Sequence, residues 1–279
     1  MATLVITEVQ TAQVSELEAG LIRYYNTTTD YPAFMTVSEH ASLWGEVTKA
    51  AREVIGRKGG CRILEVGAGR SGFGAYLRSQ SSQGMHLTSQ DITRTNVEFL
   101  QRHSDEVLHD NLDKLPGSWD VIFHSYVYEH LCRPSRFITC LWQVLNSGGY
   151  LLIQSPRYDF PFYLPPSLSH LTARRRWEMR FYFLLRDLGS LLTGQRQFLL
   201  ISDPAIFHQP FHRDRDAIHR VRRADLVHLL GKEAIVRNFP LPAGGFKDWL
   251  LKRFLTLRVV IQKKPDHTSQ TLVHDVGSQ

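Results

Sequence analysis

One segment constrains this chain more than any other: Ile63-Leu64-Glu65-Val66-Gly67-Ala68-Gly69-Arg70-Ser71-Gly72. It reads as a short apolar strand, a tight glycine turn and the start of a helix. Glycine is needed where the backbone turns with positive φ or where a ligand must approach the main chain. The pattern then repeats. Residues 62–66, 86–90, 107–108, 120–124 and 150–154 read as strands, and residues 71–79, 93–103 and 133–146 as helices between them. Strands alternating with helices at this spacing specify an α/β fold with a doubly wound, mostly parallel sheet.

Outside this stretch the alternation fades. Residues 1–14 read as a loose polar lead-in, residues 15–25 as an amphipathic helix carrying Leu17, Leu21, Ile22 and Tyr25, and residues 38–55 as a second helix with Ser38 at its N-cap. After residue 155, Pro156, Pro161, Pro165 and Pro166 break the chain into turns. A long helix over 172–192 follows. Residues 224–230 resume as helix, and 233–239 and 255–262 as two closing strands. The expected organisation is an N-terminal helical segment (1–58), a core (59–155), a lid inserted after the fifth strand (156–223), a closing helix and strands (224–264) and a disordered polar tail (265–279).

Charge is unevenly placed. Lys and Arg number 33 against 27 Asp and Glu, a net charge of +6. Residues 174–223 hold eleven Arg and five acids, so this segment carries the whole excess, and the other 22 basic and 22 acidic residues cancel. Such a segment can meet an anionic ligand, a membrane surface or nucleic acid, and the plain alternative is a solvated helix face. The neutral remainder gives nucleic acid no extended track, so nucleic acid is not expected as a partner. No apolar run approaches the ~18 residues of a membrane span. The N-terminus lacks the pattern of a secretory signal. Cys61, Cys132 and Cys140 form no CxxC pair, which argues against a disulfide framework or structural zinc and for a reducing cytoplasm.

The glycine turn fits a dinucleotide or S-adenosylmethionine (SAM). Glu65, two residues before the first glycine, repels a pyrophosphate and suits a cationic amino group. Asp91 ends the second strand, where a carboxylate can take both ribose hydroxyls of either cofactor. Further along come Val107-Leu108-His109-Asp110, Trp119-Asp120-Val121-Ile122 leading to Tyr128-Glu129-His130-Leu131, and Leu145-Asn146-Ser147-Gly148-Gly149-Tyr150. With the turn at residues 65–72 and Asp91, these motifs resemble those of class I SAM-dependent methyltransferases, over about residues 60–155. The resemblance implies a seven-stranded sheet in the order 3-2-1-4-5-7-6, with residues 255–262 as an antiparallel seventh strand. It implies that Glu65, Gly67 and Gly69 border the methionine part of SAM, Asp91 the ribose, Asp110 and Asn111 the adenine, and Ser125 and Tyr126 the sulfonium. Arg70 departs from the pattern by placing a large cation in the glycine turn.

The acceptor side is less marked. Tyr158 and Asp159 follow the fifth strand, at the edge where open sheets place ligands. Residues 203–219 pack three His and three Asp into seventeen positions. Their spacing matches no metal motif, so no metal is expected, and His208 or His212 is the expected general base. His130 reads as a residue that shapes the turn after the fourth strand. The basic helix over 172–192 reads first as a lid, then as a peripheral membrane contact. The expected function is methyl transfer from SAM to a polar small-molecule acceptor, anionic or glycosidic, with O-methylation of a saccharide or secondary metabolite foremost and a homodimer left open. The alternative is a non-catalytic SAM- or nucleotide-binding module that docks a membrane or partner through its basic lid. An NAD-dependent oxidoreductase is disfavoured by Glu65.

Overall fold

The strands at residues 61–66, 119–125 and 145–156 are largely buried and carry apolar runs such as Ile63-Leu64 and Tyr150-Leu151-Leu152-Ile153, which fits strands covered on both faces. A computed structural model describes residues 3–27, 38–80, 82–109, 115–208, 216–239 and 245–265. Its elements run β1 (Leu4–Thr7), α1 (Thr11–Thr27), α2 (Ser38–Lys58), β2 (Cys61–Val66), α3 (Phe73–Ser79), β3 (Met85–Gln90), α4 (Arg94–Leu100), β4 (Glu106–Leu108) and β5 (Trp119–Ser125). They continue with α5 (Pro134–Val144), β6 (Leu145–Pro156), α6 (Ala173–Thr193), β7 (Leu199–Ser202), α7 (Arg223–Leu230), β8 (Ala234–Asn238), α8 (Phe246–Leu255) and β9 (Thr256–Lys263).

Seven strands form the main sheet in the order β4-β3-β2-β5-β6-β9-β8. Counted along the chain within this sheet, that is 3-2-1-4-5-7-6, the expected order. β2, β3, β4, β5 and β6 pair in parallel, and β9 is antiparallel to both β6 and β8. Side chains alternate across the sheet. Ile63, Val121, Phe123, Leu152 and Val260 pack under α2 and α3. Leu64, Ile122, Leu151, Ile153 and Val259 pack under α5 and α7. The helices answer with apolar stripes at three- and four-residue spacing, such as Leu43, Val47, Ala50 and Val54 in α2, all buried.

A second, smaller layer departs from the expected organisation. Residues 4–7 are not a loose lead-in: β1 pairs antiparallel with β7, from Leu4 opposite Ser202 to Thr7 opposite Leu199. α1 lies against the 3-10 turn Pro204–His208 so closely that a Cβ on Gly20 would sit 2.8 Å from the Phe207 ring. Ile6, Val14, Leu17, Phe183, Leu200 and Ile206 share one buried cluster. The N-terminal segment and the insertion after β6 therefore make one cap. Its foundation is ionic. Arg220, 1% exposed, grips Asp187 of α6 through both terminal nitrogens at 2.7 and 2.6 Å. Arg222 reaches Asp187 at 3.1 Å, Asp225 at 3.2 Å and the Ser190 hydroxyl at 3.0 Å. Asp225 in turn accepts from the backbone N–H groups of Gln197 and Phe198. Part of the basic segment is thus buried scaffold rather than surface patch. α8 was not anticipated from the sequence, because its stripe of Phe246, Trp249, Leu250 and Phe254 lies exposed instead of facing a core.

Candidate active site

At the carboxyl ends of β2, β3 and β5, a cleft of about 390 Å³ opens under α1. Such a position is where open α/β sheets bind ligands. The glycine turn forms its floor. Gly67 and Gly69 both have positive φ, +59° and +57°, which an L side chain rarely adopts. A Cβ on Gly67 would come within 2.6 Å of Val127 Cγ2, so only glycine leaves room at this wall. The turn is tied to β3 by three bonds: the Gly67 N–H donates to Gln90 Oε1 at 3.0 Å, the Ala68 N–H to the Gln90 carbonyl at 2.9 Å, and the Gly69 N–H to Asp91 Oδ2 at 2.7 Å.

Asp91 lines the cleft together with Gln90, Ile92 and Thr93. Its carboxylate also accepts from the Thr93 N–H at 2.8 Å and the Asn96 amide at 3.2 Å. With the Gly69 bond, that is three of the ~four lone-pair directions of a carboxylate. Asp91 therefore both braces the glycine turn and leaves one direction toward a ligand. Glu65 lies one layer below the cleft wall, 5% exposed, with the Ser89 hydroxyl donating to it at 3.2 Å. Burial pushes its carboxyl up to about 8, against the lowering effect of hydrogen bonds from Ser71 and Ser89. A carboxyl in that state gains from a cation brought near it.

Tyr126 follows β5 with φ +56°, a left-handed conformation uncommon for a bulky side chain, and it lines the cleft. Its ring stands edge-on to His40 at 5.5 Å, and the Ser125 hydroxyl bonds His40 Nδ1 at 3.0 Å. Ser125 thus orients the strand end from behind and is not part of the wall. Arg70 is half-buried and also off the wall. Asp110 and Asn111 lie outside the described residues.

The acceptor-side expectations fare differently. Tyr158 does not meet the cleft: it is fully buried in the core beneath α5 and α7, its ring stacked on Tyr163. It sits there because the chain leaving β6 turns inward, the Tyr158 N–H donating to the Val221 carbonyl at 3.1 Å. His212 and the side chain of His208 lie outside the described residues. The third histidine of that cluster, His219, is buried with Nδ1 2.9 Å from the Tyr128 carbonyl, and burial lowers its pKa to about 4. The cluster disperses: Asp203 accepts from Thr3 and binds His170, while Asp216 turns toward the cleft.

The cleft instead brings in His130, together with Leu21, Ile22 and Tyr25 of α1. His130 Nδ1 lies 3.2 Å from the Asp216 carbonyl and 3.5 Å from its Oδ2. The Tyr25 hydroxyl donates to the same Oδ2 at 2.6 Å. On the other side, His130 Nε2 is 3.7 Å from Oε1 of the buried Glu129. The sequence carried two signals for this arrangement: Tyr25 on the amphipathic stripe of α1, and Glu129-His130 after β5. α1, not the long helix α6, supplies the cleft's roof.

Residues 38–229 match the model of the methyltransferase domain family. A probable SAM-dependent methyltransferase of Mycobacterium tuberculosis is 29% identical over 161 residues, 56% of each protein. The phthiotriol/phenolphthiotriol dimycocerosates methyltransferase 1 of Mycobacterium ulcerans is 31% identical over 103 residues, 33% of this chain and 36% of that protein. The chain thus spans about half or less of the length of these curated relatives. Among solved structures, a SAM-dependent methyltransferase of Mesorhizobium loti superposes with a TM-score of 0.49 at 18% identity, covering 81% of this chain and all of the other. The glycine cradle too narrow for a side chain and the two acids near it fit a cationic nucleoside cofactor, and the family match covers these same residues: the chain belongs to the methyltransferase domain family.

Proposed function

We propose that this protein methylates a hydroxyl oxygen of a partly apolar small molecule, with His130 as the general base. The observation that carries the reading is one cleft lined both by Gly67 and Asp91 on the cofactor side and by His130 and Tyr25, the pair that Asp216 holds from behind. Gly67, Asp91 and Tyr126 would hold SAM, with Glu65 behind the turn answering its amino group. Bound there, SAM supplies a methyl group on a sulfonium, a good leaving centre, so the protein's first task is alignment. An Nδ1–H tautomer of His130, donating to the Asp216 carbonyl, fixes the ring and leaves Nε2 basic. Once His130 takes the acceptor's proton, Glu129 Oε1 and Asp216 Oδ2 stabilise the imidazolium.

The wall also narrows the acceptor. Among the described residues that line the cleft are Glu18 and Asp91 but no Lys or Arg. An anionic acceptor would find no side-chain countercharge among these described residues, whereas Leu21, Ile22 and Leu131 favour an apolar body. A secondary metabolite of lipid type suits this wall better than an anionic saccharide, and the M. ulcerans relative, named for action on phthiotriol and phenolphthiotriol dimycocerosates, points the same way.

The test is transfer from methyl-labelled SAM to a panel of hydroxylated lipids, phenols and saccharides, followed by His130→Gln. Turnover should fall by about 10²–10⁴-fold, SAM affinity should stay within a small factor, and the lower inflection of the pH–rate profile should disappear. Full turnover in the variant removes His130 from catalysis. SAM binding without label in any acceptor favours the non-catalytic module.

A further inference from the structure

Helix α6 is amphipathic twice over. One face buries Phe183 and Ser190 and directs Asp187 to Arg220. The opposite face repeats Trp177, Phe181, Leu185, Leu188 and Leu192 at spacings of four, four, three and four, all exposed, with Leu185 at 68% and Leu192 at 88%. Side chains at this spacing share one side of a helix. The stripe does not end there. Phe162 meets Trp177 at 6.3 Å and Phe181 at 6.0 Å, edge-on. Two residues earlier, Phe160 meets Phe254 of α8 at 5.6 Å, and α8 adds exposed Phe246, Trp249 and Leu250. Two helices and the loop packed against both thus present a linked run of exposed apolar side chains, the kind of surface that marks an interaction site.

We infer that this face docks onto an anionic phospholipid surface. The rim carries the complementary charge: Arg174 and Arg175 are 90% and 71% exposed at their side chains, Arg180 lies 4.8 Å over the Trp177 ring, and Arg253 lies 5.7 Å from the Trp249 ring. The acid among them is Glu178, shared between Arg174 and Arg175. Tryptophan, phenylalanine and leucine on one side with arginine beside them is the composition of a helix that lies in the headgroup region. No helix of the described residues is long and apolar enough to cross a bilayer, so α6 lies on the surface and does not span it. A second copy of the chain would bring one basic rim against another, which repels. The docking does not depend on which acceptor is methylated; it places the protein where lipid-type acceptors are concentrated.

Flotation of the full chain with phosphatidylcholine vesicles, with and without phosphatidylglycerol, tests this. Binding should require phosphatidylglycerol and weaken with salt. Trp177→Ala, Phe181→Ala and Leu185→Ala together should lower partitioning more than tenfold, and Arg174→Gln with Arg175→Gln by about fivefold for each arginine. A second readout needs no variant. Trp177 and Trp249 are exposed while Trp44, Trp119 and Trp142 are buried. Brominated acyl chains should therefore quench part of the wild-type fluorescence and leave the rest. Failure of the wild type to float with phosphatidylglycerol vesicles, or absence of that quenching, overturns the proposal. So does a dimer in sedimentation velocity that the triple variant dissolves while vesicles stay unbound.

Discussion

The sheet core and the cap solve the same problem with different means. The core buries long apolar runs in strands contributed by neighbours in sequence, as in β5 and β6. The cap has few such residues and joins pieces from opposite ends of the chain: β1 to β7, α1 to the turn Pro204–His208, α6 to the segment before α7. What holds it from below is a pair of buried arginines, Arg220 and Arg222, shared between Asp187 and Asp225. A hydrophobic core tolerates small losses by partial collapse. A buried charge that loses its partner has no such route, because the desolvation cost remains.

The sharpest way to break the comparison is Asp187→Ala. It leaves Arg220 buried without its bidentate partner and should cost about 3–5 kcal/mol. The loss should be confined to the cap. Hydrogen exchange should rise in β1, α1 and β7 while β2, β5 and β6 stay protected; uniform loss of protection would mean that core and cap unfold as one unit.

Glu65→Gln tests the core side, where a buried carboxyl is proposed to take part in cofactor binding. The wild-type carboxyl, raised to about 8 by burial, holds a proton in the folded state that the unfolded chain releases near pH 4.5. The folded state binds more protons across that window, so this group's contribution to stability falls as pH climbs from about 4.5 to 8 and levels above. The Gln variant should lose that slope and melt higher at pH 8 than the wild type. It should also bind SAM more weakly, by roughly 1.5–3 kcal/mol for a lost charge-assisted bond. In the wild type below pH 8, SAM binding should release a proton, measurable by calorimetry in buffers of different ionisation heat. Unchanged affinity and no proton release would detach Glu65 from the cofactor.

The smallest effect is expected for Gly67→Ala. The left-handed φ alone costs about 1–2 kcal/mol, and the new Cβ must push Val127 aside. SAM binding should fall more than thermal stability does, since the turn is the cleft's floor. A drop in Tm with intact binding would show that the glycine serves packing only.

The core was legible in the sequence because its signals are local. A short apolar strand, a glycine turn and a period-3.6 helix each declare themselves within ten residues, and the strand order follows from the motifs' resemblance. The cap was not legible for the opposite reason. Leu4–Thr7, four residues reading Leu-Val-Ile-Thr, is too short to announce a strand against its polar flank, and its partner lies almost two hundred positions away. Arg220 and Arg222 look like surface residues until Asp187 and Asp225 are seen facing them. Tyr158 sat in the right place along the chain for an acceptor residue, yet one backbone bond to Val221 turns it into the core. His130 was assigned to shaping the turn, because nothing in its neighbourhood along the chain reveals Asp216, eighty-six residues on, which holds its ring.

The pairing of β1 with β7 has a consequence in time. A ribosome delivers Leu199–Ser202 roughly ten to forty seconds after Leu4–Thr7 at ~5–20 residues per second. By the end of that interval the five parallel strands β2 to β6 are available, so they can pair while α1 still lacks the surface it rests on. The nascent chain passes through a stage with a floor and no roof, open to water and to any chaperone that reads exposed Leu17 and Leu21.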